Sequence, residues 1–499
     1  MTTGGGAAAN ATKPANSAST RVMMSRLGPM PSTERLAAWM LAIVAVAATA
    51  PETAAASRPL ALGFFDPIYA APATSAPWLQ RTVDAGADVV KIEIGWPAAT
   101  RPRDARDPAD PAYDFRRADG AVRAASAHGL RVLVSFTGAP RWAEGARRPR
   151  SAVPGSWRPN PAAVGDYGAA LARRYSGAFP DPAEPGSALP RVEAFQVWNE
   201  PNFAISLSPQ WSGRRAVAPL IYRAMLNAFH TGVKSVTPGA LVVTAGTAPF
   251  GDSEPGGARM KPARFWRGLL CQTQTRGGQL RAARCLRPAR FDVLAHHPYP
   301  SEQPRWQEAF PDDVSISGMA KLTRILRAAQ RSGRALPRGP RKRVWVTEVS
   351  YDSSPPDPHG VPLARHARWL QETLYLLWRA GVDTITWFRI VDEPPVPRYG
   401  DTNQSGLYRL GGRPKPAARA FRFPFVAERA GRRALRVWGR SPVAGRVAIE
   451  RLRRGRWIAV RHVSVRRHGT FLLRVVRGRG PERLRARVRR ERSLTWQAG

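Results

Sequence analysis

Eight short apolar runs separated by amphipathic stretches are the feature that most restricts the fold of this 499-residue chain. The runs are short enough to be strands buried on both faces, and they lie at 60–65, 89–94, 131–136, 192–198, 240–245, 291–295, 344–349 and 382–388. Between them, apolar residues recur three or four positions apart and predict helices, as at 118–128, 162–175, 220–235, 319–331 and 364–380. Eight such repeats predict an α/β protein with a (β/α)8 (TIM) barrel over residues 58–424. A doubly wound open sheet is the alternative, but the glycine-rich phosphate turn it often carries is missing.

The pattern changes to strict alternation after residue 424, as in the stretches 456–465 and 471–476. A period of two with glycine-containing turns predicts a small antiparallel all-β C-terminal domain over 425–499. This stretch contains 22 Arg against four Glu, a net charge of +18 (22 − 4). Two interpretations are open: adhesion to an acidic envelope or matrix polymer, or a cap on the barrel with a solvated arginine face.

The whole chain is strongly basic, with 77 Lys+Arg against 36 Asp+Glu and a net charge of +41. Only seven of the basic residues are Lys, so a coding bias explains the excess as well as a basic binding face does. No nucleic-acid-binding motif accompanies the charge, and we expect no nucleic-acid partner.

Residues 1–57 have the features of an export signal. A leader with Arg26 and Arg35 precedes an apolar run at 36–48, and small residues follow. We predict a signal peptide behind a disordered leader, and hence a secreted or cell-envelope protein. A membrane anchor is the alternative, although the run is shorter than the ~20 residues that a span needs.

The two cysteines, Cys271 and Cys285, are close in sequence. In an exported protein such a pair predicts a disulfide more simply than a metal or redox site. Free buried thiols are the alternative.

Two glutamates follow predicted strands at positions suited to catalysis. Glu200 stands in Trp198-Asn199-Glu200-Pro201, where the fourth strand ends, and Glu348 follows Thr347 on the seventh. Strand ends of the same sense meet at one face of a barrel. A pair of carboxylates there indicates glycosidic bond cleavage, in which one protonates the leaving oxygen and the other attacks or activates water.

Over residues 60–425 the chain resembles the retaining glycoside hydrolases of the (β/α)8 clan A, most closely family 39 (β-xylosidase-like) and more distantly family 5 (cellulase-like). The resemblance rests on motifs in the expected strand order: Tyr113-Asp114-Phe115, the stretch 137–142, Trp198-Asn199-Glu200-Pro201-Asn202, His297-Pro298-Tyr299, Thr347-Glu348, Trp387 and Lys415-Pro416-Ala417. It implies a secreted enzyme that hydrolyses O-glycosidic bonds of β-linked glycosides or polysaccharide by double displacement. A barrel that binds carbohydrate without turnover is the alternative.

The resemblance also implies a role for each residue of the site. Glu200 would be the acid/base, with a pKa raised by apolar neighbours, and Glu348 the nucleophile, with a pKa lowered by a cation and hydroxyl donors. Asn199 would bind the sugar 2-hydroxyl, Tyr299 would donate to the nucleophile, and His297 would either orient the acid/base or touch the sugar. Trp387 would form the floor under the sugar, and Trp96 and Trp142 would line the cleft. These residues are expected to bind carbohydrate without any metal or other cofactor.

Lys91 marks a departure from that pattern. Relatives usually carry an arginine on the second strand near the nucleophile, and this chain has Lys91 at the aligned place. Lysine keeps the charge but loses the planar fork, so weaker support of Glu348 is expected.

Overall fold

The computed structural model describes residues 57–478 and 480–498. Its centre is a closed barrel of parallel strands in the order β1-β8-β7-β6-β5-β4-β3-β2. The strands are β1 (Ala61–Phe65), β2 (Val89–Ile94), β3 (Arg131–Phe136), β4 (Ala194–Val197), β5 (Leu241–Val243), β6 (Val293–His296), β7 (Arg343–Val346) and β8 (Thr384–Phe388). The predicted (β/α)8 barrel is therefore confirmed, although β4, β5 and β7 end earlier than predicted and β6 ends one residue later.

One α-helix follows each strand of the barrel in the described part of the chain. These helices are α1 (Pro72–Asp84), α2 (Arg116–Ala127), α3 (Pro161–Arg174), α4 (Ala218–Val236), α5 (Pro262–Leu269), α6 (Met319–Arg331), α7 (Leu363–Arg379) and α8 (Pro416–Arg422). Three short 3-10 helices lie at Pro67–Ala70, Arg141–Ala143 and Tyr399–Asp401. Short two-stranded ladders join 211–212 to 215–216, 272–274 to 280–282, 289–290 to 335–336 and 353–354 to 361–362. No described helix is both long and apolar enough to cross a bilayer.

The barrel interior is a packed core in its lower half. Seven buried side chains fill it: Val89, Leu133, Ala194, Val243, Val293, Ala295 and Trp345. Gly63 allows β1 to approach β2 closely, because a Cβ at this position would lie 1.8 Å from the carbonyl oxygen of Val89. The interior becomes polar only toward the carboxyl ends of the strands, where Lys91, Gln196 and Thr347 are buried.

The C-terminal region forms two antiparallel sheets, as predicted. The first contains β9 (Phe425–Arg429), β10 (Ala434–Arg440) and β13 (Thr470–Val476) in the order β9-β10-β13. The second contains β11 (Gly445–Arg453), β12 (Arg456–Val465), β14 (Glu482–Val488) and β15 (Glu491–Arg492) in the order β12-β11-β14-β15, and β16 (Trp496–Ala498) also pairs with β14.

Buried charge joins these sheets to the amino-terminal rim of the barrel. The Arg440 guanidinium is fully buried and donates to the carbonyls of Leu60 and Gly86 and to Asp88 Oδ2 at 2.6 Å. His468 Nδ1 also lies 2.6 Å from Asp88. Because Asp88 immediately precedes β2, these contacts are at the rim opposite the carboxyl ends of the strands.

A second contact joins the sheets to the side of the barrel. Glu428 on β9 accepts hydrogen bonds from Tyr375 and Arg379 of α7. It also accepts one from Arg305, in the loop after β6. The barrel and the two sheets pack as one unit.

Cys271 and Cys285 form the predicted disulfide, with Cα atoms 5.7 Å apart. The bridge closes the base of the 272–282 hairpin after α5. The predicted export segment, residues 1–57, lies outside the described residues except for Ser57.

Candidate active site

A left-handed backbone turn at the end of β4 displays Glu200. Trp198 and Glu200 have φ angles of 75° and 37°, in the region that non-glycine residues rarely adopt. Neighbouring strands hold this conformation, since the Trp198 N–H donates to the Phe136 carbonyl and the Glu200 N–H to the Gly246 carbonyl. Strained backbone of this kind is found where function requires one side-chain direction.

His297 orients the Glu200 carboxylate. Its Nδ1 lies 3.0 Å from Glu200 Oε1, and its Nε2 lies 3.0 Å from Thr347 Oγ1. Gln196 donates to the same Thr347 oxygen, so the Thr347 proton is available for Nε2 of neutral His297. That leaves the Nδ1 proton to be donated to Glu200.

Gly246 makes room for the His297 ring. A Cβ at position 246 would lie 2.1 Å from His297 Nε2, so any side chain there would collide with the imidazole. Glycine is therefore required at this position by close packing, because the ring lies directly against the backbone.

Glu348, just beyond β7, is held as an anion. Lys91 Nζ donates to Oε1 at 2.8 Å, and Tyr299 donates to Oε2 at 3.2 Å. Burial alone would raise the pKa of Glu348, but the neighbouring His297 and Lys91, with these hydrogen bonds, lower that pKa below its ordinary value. The lysine that replaces the expected arginine is wholly buried and reaches the carboxylate directly.

The two glutamates are close enough to act on one bond. One oxygen of Glu200, one of Glu348 and one nitrogen of His297 lie within 4.8 Å of one another. Carboxyl groups ~5 to 5.5 Å apart leave no room for an intervening water, whereas a water needs ~6.5 to 9.5 Å. A cation could be coordinated by this trio only at a cost, since both His297 nitrogens already have partners and Lys91 already neutralises Glu348.

Asn199, Trp96 and Trp142 lie near this pair in different settings. Asn199 Oδ1 is buried and has no hydrogen-bond partner among the described residues, so it is an acceptor available to a ligand. Trp96 is buried in the core and stacks on Tyr167 at 4.8 Å. Trp142 is partly buried, packs edge-on to Trp96 and donates to the Ala98 carbonyl. Trp96 therefore packs between its strand and α3, and Trp142 packs against Trp96.

Trp387 does not face the cleft, contrary to the prediction. It is fully buried, donates its indole N–H to the Ser405 carbonyl and packs against His366 of α7. Strand neighbours alternate in direction, so Phe388 takes the inward position. The Phe388 ring lies 6.5 Å from that of Tyr299 and is only partly buried.

Glu93 is a third carboxylate of the site that the sequence analysis missed. It stands two residues after Lys91 on β2 and therefore on the same inward face. Burial raises its pKa, Lys91 opposes this shift, and the charges of Glu348 and Glu200 add to it. The two-residue spacing between Lys91 and Glu93, which places both side chains on one face of a strand, was the signal for Glu93 in the sequence. Glu93 also lines a cavity of 310 Å³ at the ends of β1 and β2.

A larger cavity of 720 Å³ is lined in part by Tyr299. Its lining includes Asp352, Trp369 and Asn403. Burial raises the pKa of Asp352 to about 6. The lining of neither cavity includes Glu200 or Glu348, and Tyr299, which donates to Glu348, is the residue that joins the larger cavity to the carboxylate pair.

Comparison with solved structures supports the fold. A family 39 glycoside hydrolase from the gut symbiont Bacteroides cellulosilyticus WH2 aligns with a TM-score of 0.50 and 18% identity, over 86% of this chain and 83% of that one. A glucosidase from Croceicoccus marinus aligns with a TM-score of 0.48 and 14% identity, over 86% and 98% of the two chains. No protein-family model and no curated protein sequence matches the chain. At 18% identity, the likeness to the family 39 structure shows a shared fold alone, and the chemistry depends on the site itself.

Proposed function

We propose that this protein is a retaining glycoside hydrolase that acts on β-linked glycosides or polysaccharide. The observation that carries the proposal is the pair Glu200 and Glu348, with oxygens within 4.8 Å at the carboxyl ends of two barrel strands. The second support is their difference in setting. Glu348 contacts the cation Lys91 and is held ionised, whereas the described side chain that contacts Glu200 is a histidine that orients it.

In the first step, the Glu348 carboxylate attacks the anomeric carbon while Glu200 protonates the departing oxygen. Tyr299 and Lys91 hold the nucleophile in place, and the backbone turn at Glu200 fixes the direction of the acid. In the second step, Glu200 takes a proton from water, which then attacks the glycosyl-enzyme ester and restores the original configuration. Thr347 and His297 keep Glu200 oriented in both steps.

We expect three residues to bind the sugar: Asn199, Phe388 and Glu93. Asn199 Oδ1 is a buried free acceptor suited to the 2-hydroxyl, and such a bond strengthens as the oxocarbenium ion forms. Phe388 offers an inward aromatic face for the C–H side of the ring. Glu93 adds a third carboxylate for hydroxyl recognition.

Replacing Glu348 by Gly tests the proposal. The substrates are aryl β-glycosides of xylose, glucose, galactose and mannose, and aryl α-arabinosides. Activity should fall by about 10⁴-fold or more, and added azide should restore it as a glycosyl azide of inverted configuration. Glu200→Ala should keep turnover of substrates with good leaving groups and give the azide of retained configuration. Glu184→Gly, at an exposed carboxylate in the loop between α3 and β4, is the matched control.

Undiminished activity of Glu348→Gly, or azide products that do not differ between the two variants, would contradict the assignment. A protein that binds these sugars without cleaving any of them would instead be a carbohydrate-binding barrel.

We further propose that the protein works outside the cytoplasm. The Cys271–Cys285 disulfide supports this, because such bonds persist mainly in oxidising compartments. Fractionation of the producing cells, with immunodetection of the protein, tests it.

A further inference from the structure

The 720 Å³ cavity that Tyr299 lines lies between the loops that follow β6, β7 and β8 and the first turns of α7. We call it the side cavity. Its volume lies within the ~300 to 1,000 Å³ that ligand sites usually enclose. Tyr299 also donates to the nucleophile Glu348 at 3.2 Å. A ligand in the side cavity would therefore adjoin the sugar that Glu348 attacks.

The lining combines an aromatic ring with polar groups that have no hydrogen-bond partner in the described part of the chain. Trp369 of α7 is partly buried, its ring lies 5.1 Å from that of Tyr351, and its indole N–H donates to no described residue. Asp352 accepts the Gln404 N–H at 2.7 Å through Oδ1, and its Oδ2 accepts no hydrogen bond from the described residues. A sugar ring matches such a lining, because its C–H face is apolar and its edge carries hydroxyls.

The walls of the side cavity are held in place by one buried ammonium group. The Lys415 side chain is fully buried, and its Nζ donates to Ser353 Oγ at 2.8 Å and to the Gln404 carbonyl at 2.9 Å. These two acceptors adjoin Asp352 and Asn403, which line the cavity from the loops after β7 and β8. The cavity is therefore preformed, as sites for small ligands usually are.

The charge of the side cavity differs from that of the whole chain, which carries a net charge of +41. The lining contains three carboxylates, Glu302, Asp352 and Asp357, and its basic residues are Arg365 and His359. A uronate in the cavity would lie among carboxylates of like charge. The cavity therefore favours a neutral sugar.

We propose that the side cavity binds a second, neutral sugar residue of the substrate, so that the enzyme acts on a sugar chain rather than on a single glycoside. This inference rests on the glycosidase function proposed above, which places the first sugar at Glu348. Trp369 stacks on the second ring, and Asp352 accepts hydrogen bonds from its hydroxyls. The described lining contains neither Asn199 nor Phe388, so the two sugars have separate binding residues.

Binding of β-linked trisaccharides of xylose, glucose and mannose to the Glu348→Gly protein tests the inference without turnover. Addition of Trp369→Ala should weaken the tightest of these complexes about tenfold, because the stacking ring is lost. Addition of Asp352→Asn should weaken it about fivefold, since the amide keeps an acceptor for Gln404 but loses the charge. Titration calorimetry measures the affinities, and thermal melting establishes that each protein is folded.

Trp457→Ala, at a partly buried ring of β12 in the C-terminal sheets, is the matched control and should leave the affinity unchanged. Equal affinities with and without Trp369→Ala, or no binding of any of the three trisaccharides, would overturn the proposal. A trisaccharide of glucuronic acid that binds as tightly as the neutral ones would overturn the preference for a neutral sugar.

Kinetics separate this proposal from that of the glycosidase function. If the second sugar lies on the non-reducing side of the cleaved bond, Trp369→Ala should lose about tenfold more kcat/KM on aryl glycosides of two sugar units than on those of one unit. If the second sugar belongs to the leaving group, the extra loss should appear with free trisaccharides instead. Cleavage of the aryl glycosides of one unit without an extra loss on either longer substrate contradicts the side-cavity proposal alone. Absence of any cleavage contradicts the glycosidase assignment.

Discussion

At the scale of single residues, the site depends on packing and charge around the two glutamates. His297 touches Glu200 and Thr347 at 3.0 Å each, and its ring rests on the backbone of Gly246. Lys91 has no exposed surface and donates directly to Glu348. Substitutions that move His297 or remove Lys91 should therefore alter catalysis, although neither change removes a group that contacts the substrate.

Gly246→Ala should displace the His297 ring, because the new Cβ would lie 2.1 Å from Nε2. We expect kcat to fall about 10- to 100-fold as Glu200 loses its orientation, and stability to fall by ~1 to 3 kcal/mol from overpacking. Aryl glycoside kinetics and thermal melting measure the two effects. Gly239→Ala, just before β5, is the control, because the atom nearest to a Cβ there is Arg191 Nη2 at 3.7 Å. Equal kinetics in both variants would argue against a role for the His297 position.

Lys91→Gln should move the acid limb of the kcat/KM profile to higher pH. In the native protein the pKa of Glu348 is lowered, so the nucleophile is ionised at and above its ordinary titration range and loses activity only at lower pH. Without the Lys91 charge, burial would raise that pKa, and protonation would begin at higher pH. We also expect kcat/KM at its optimum to fall by about 100-fold. An unshifted acid limb would exclude Lys91 as the cation that sets this ionisation.

At the scale of secondary-structure elements, the order of the strands was predictable from the sequence. Which side chains on each strand point into the barrel was less so. The eight runs were recognisable because strands buried on both faces are apolar throughout. The same property hides which residues point inward, so Trp387 was placed in the cleft although Phe388 occupies that position. Gln196 was missed, and Thr347 was recognised only as part of a motif, since a buried polar residue gains its role only from partners on other strands.

Two single substitutions can test whether Phe388 or Trp387 of β8 points into the cleft. Phe388→Ala should raise KM for aryl glycosides by about tenfold, since it removes the inward aromatic face. Trp387→Phe should leave KM unchanged and lower the melting temperature, because it removes the hydrogen bond to Ser405 and leaves a buried gap. The reverse pattern would place Trp387 at the sugar.

The hairpin after α5 depends on its disulfide. Cys285→Ser should lower the free energy of unfolding by ~3 kcal/mol, the chain-entropy value for a loop of this length, whose ends are 14 residues apart. Denaturant titration measures the change, and reduction of the parent protein should reproduce it. Activity should be unchanged, because Cys271 follows a helix on the far side from the strand ends. A normal denaturation midpoint in the variant would show that the hairpin packs well enough without the bond.

At the scale of the whole molecule, buried charge holds the barrel and the C-terminal sheets together. Arg440→Ala should lower the free energy of unfolding by ~3 kcal/mol or more, because it leaves Asp88 and two carbonyls without their donor. Arg446→Ala, at an exposed position, should change it by less than ~0.5 kcal/mol. Denaturant titration of both variants compares them. Equal effects would mean that the rim contact adds nothing to stability.

Glu428 limits how the C-terminal sheets can be exchanged for those of another protein. It is part of the C-terminal sheets, yet it receives hydrogen bonds from α7 and from Arg305, in the same loop that carries Tyr299. A barrel cut away from its sheets would lose one of the two carboxylates that hold this loop through Arg305, the other being Glu372 of α7. The sheets are therefore not an interchangeable appendage, and a chimaera that exchanges them must carry a matching acid at position 428 to preserve the cleft.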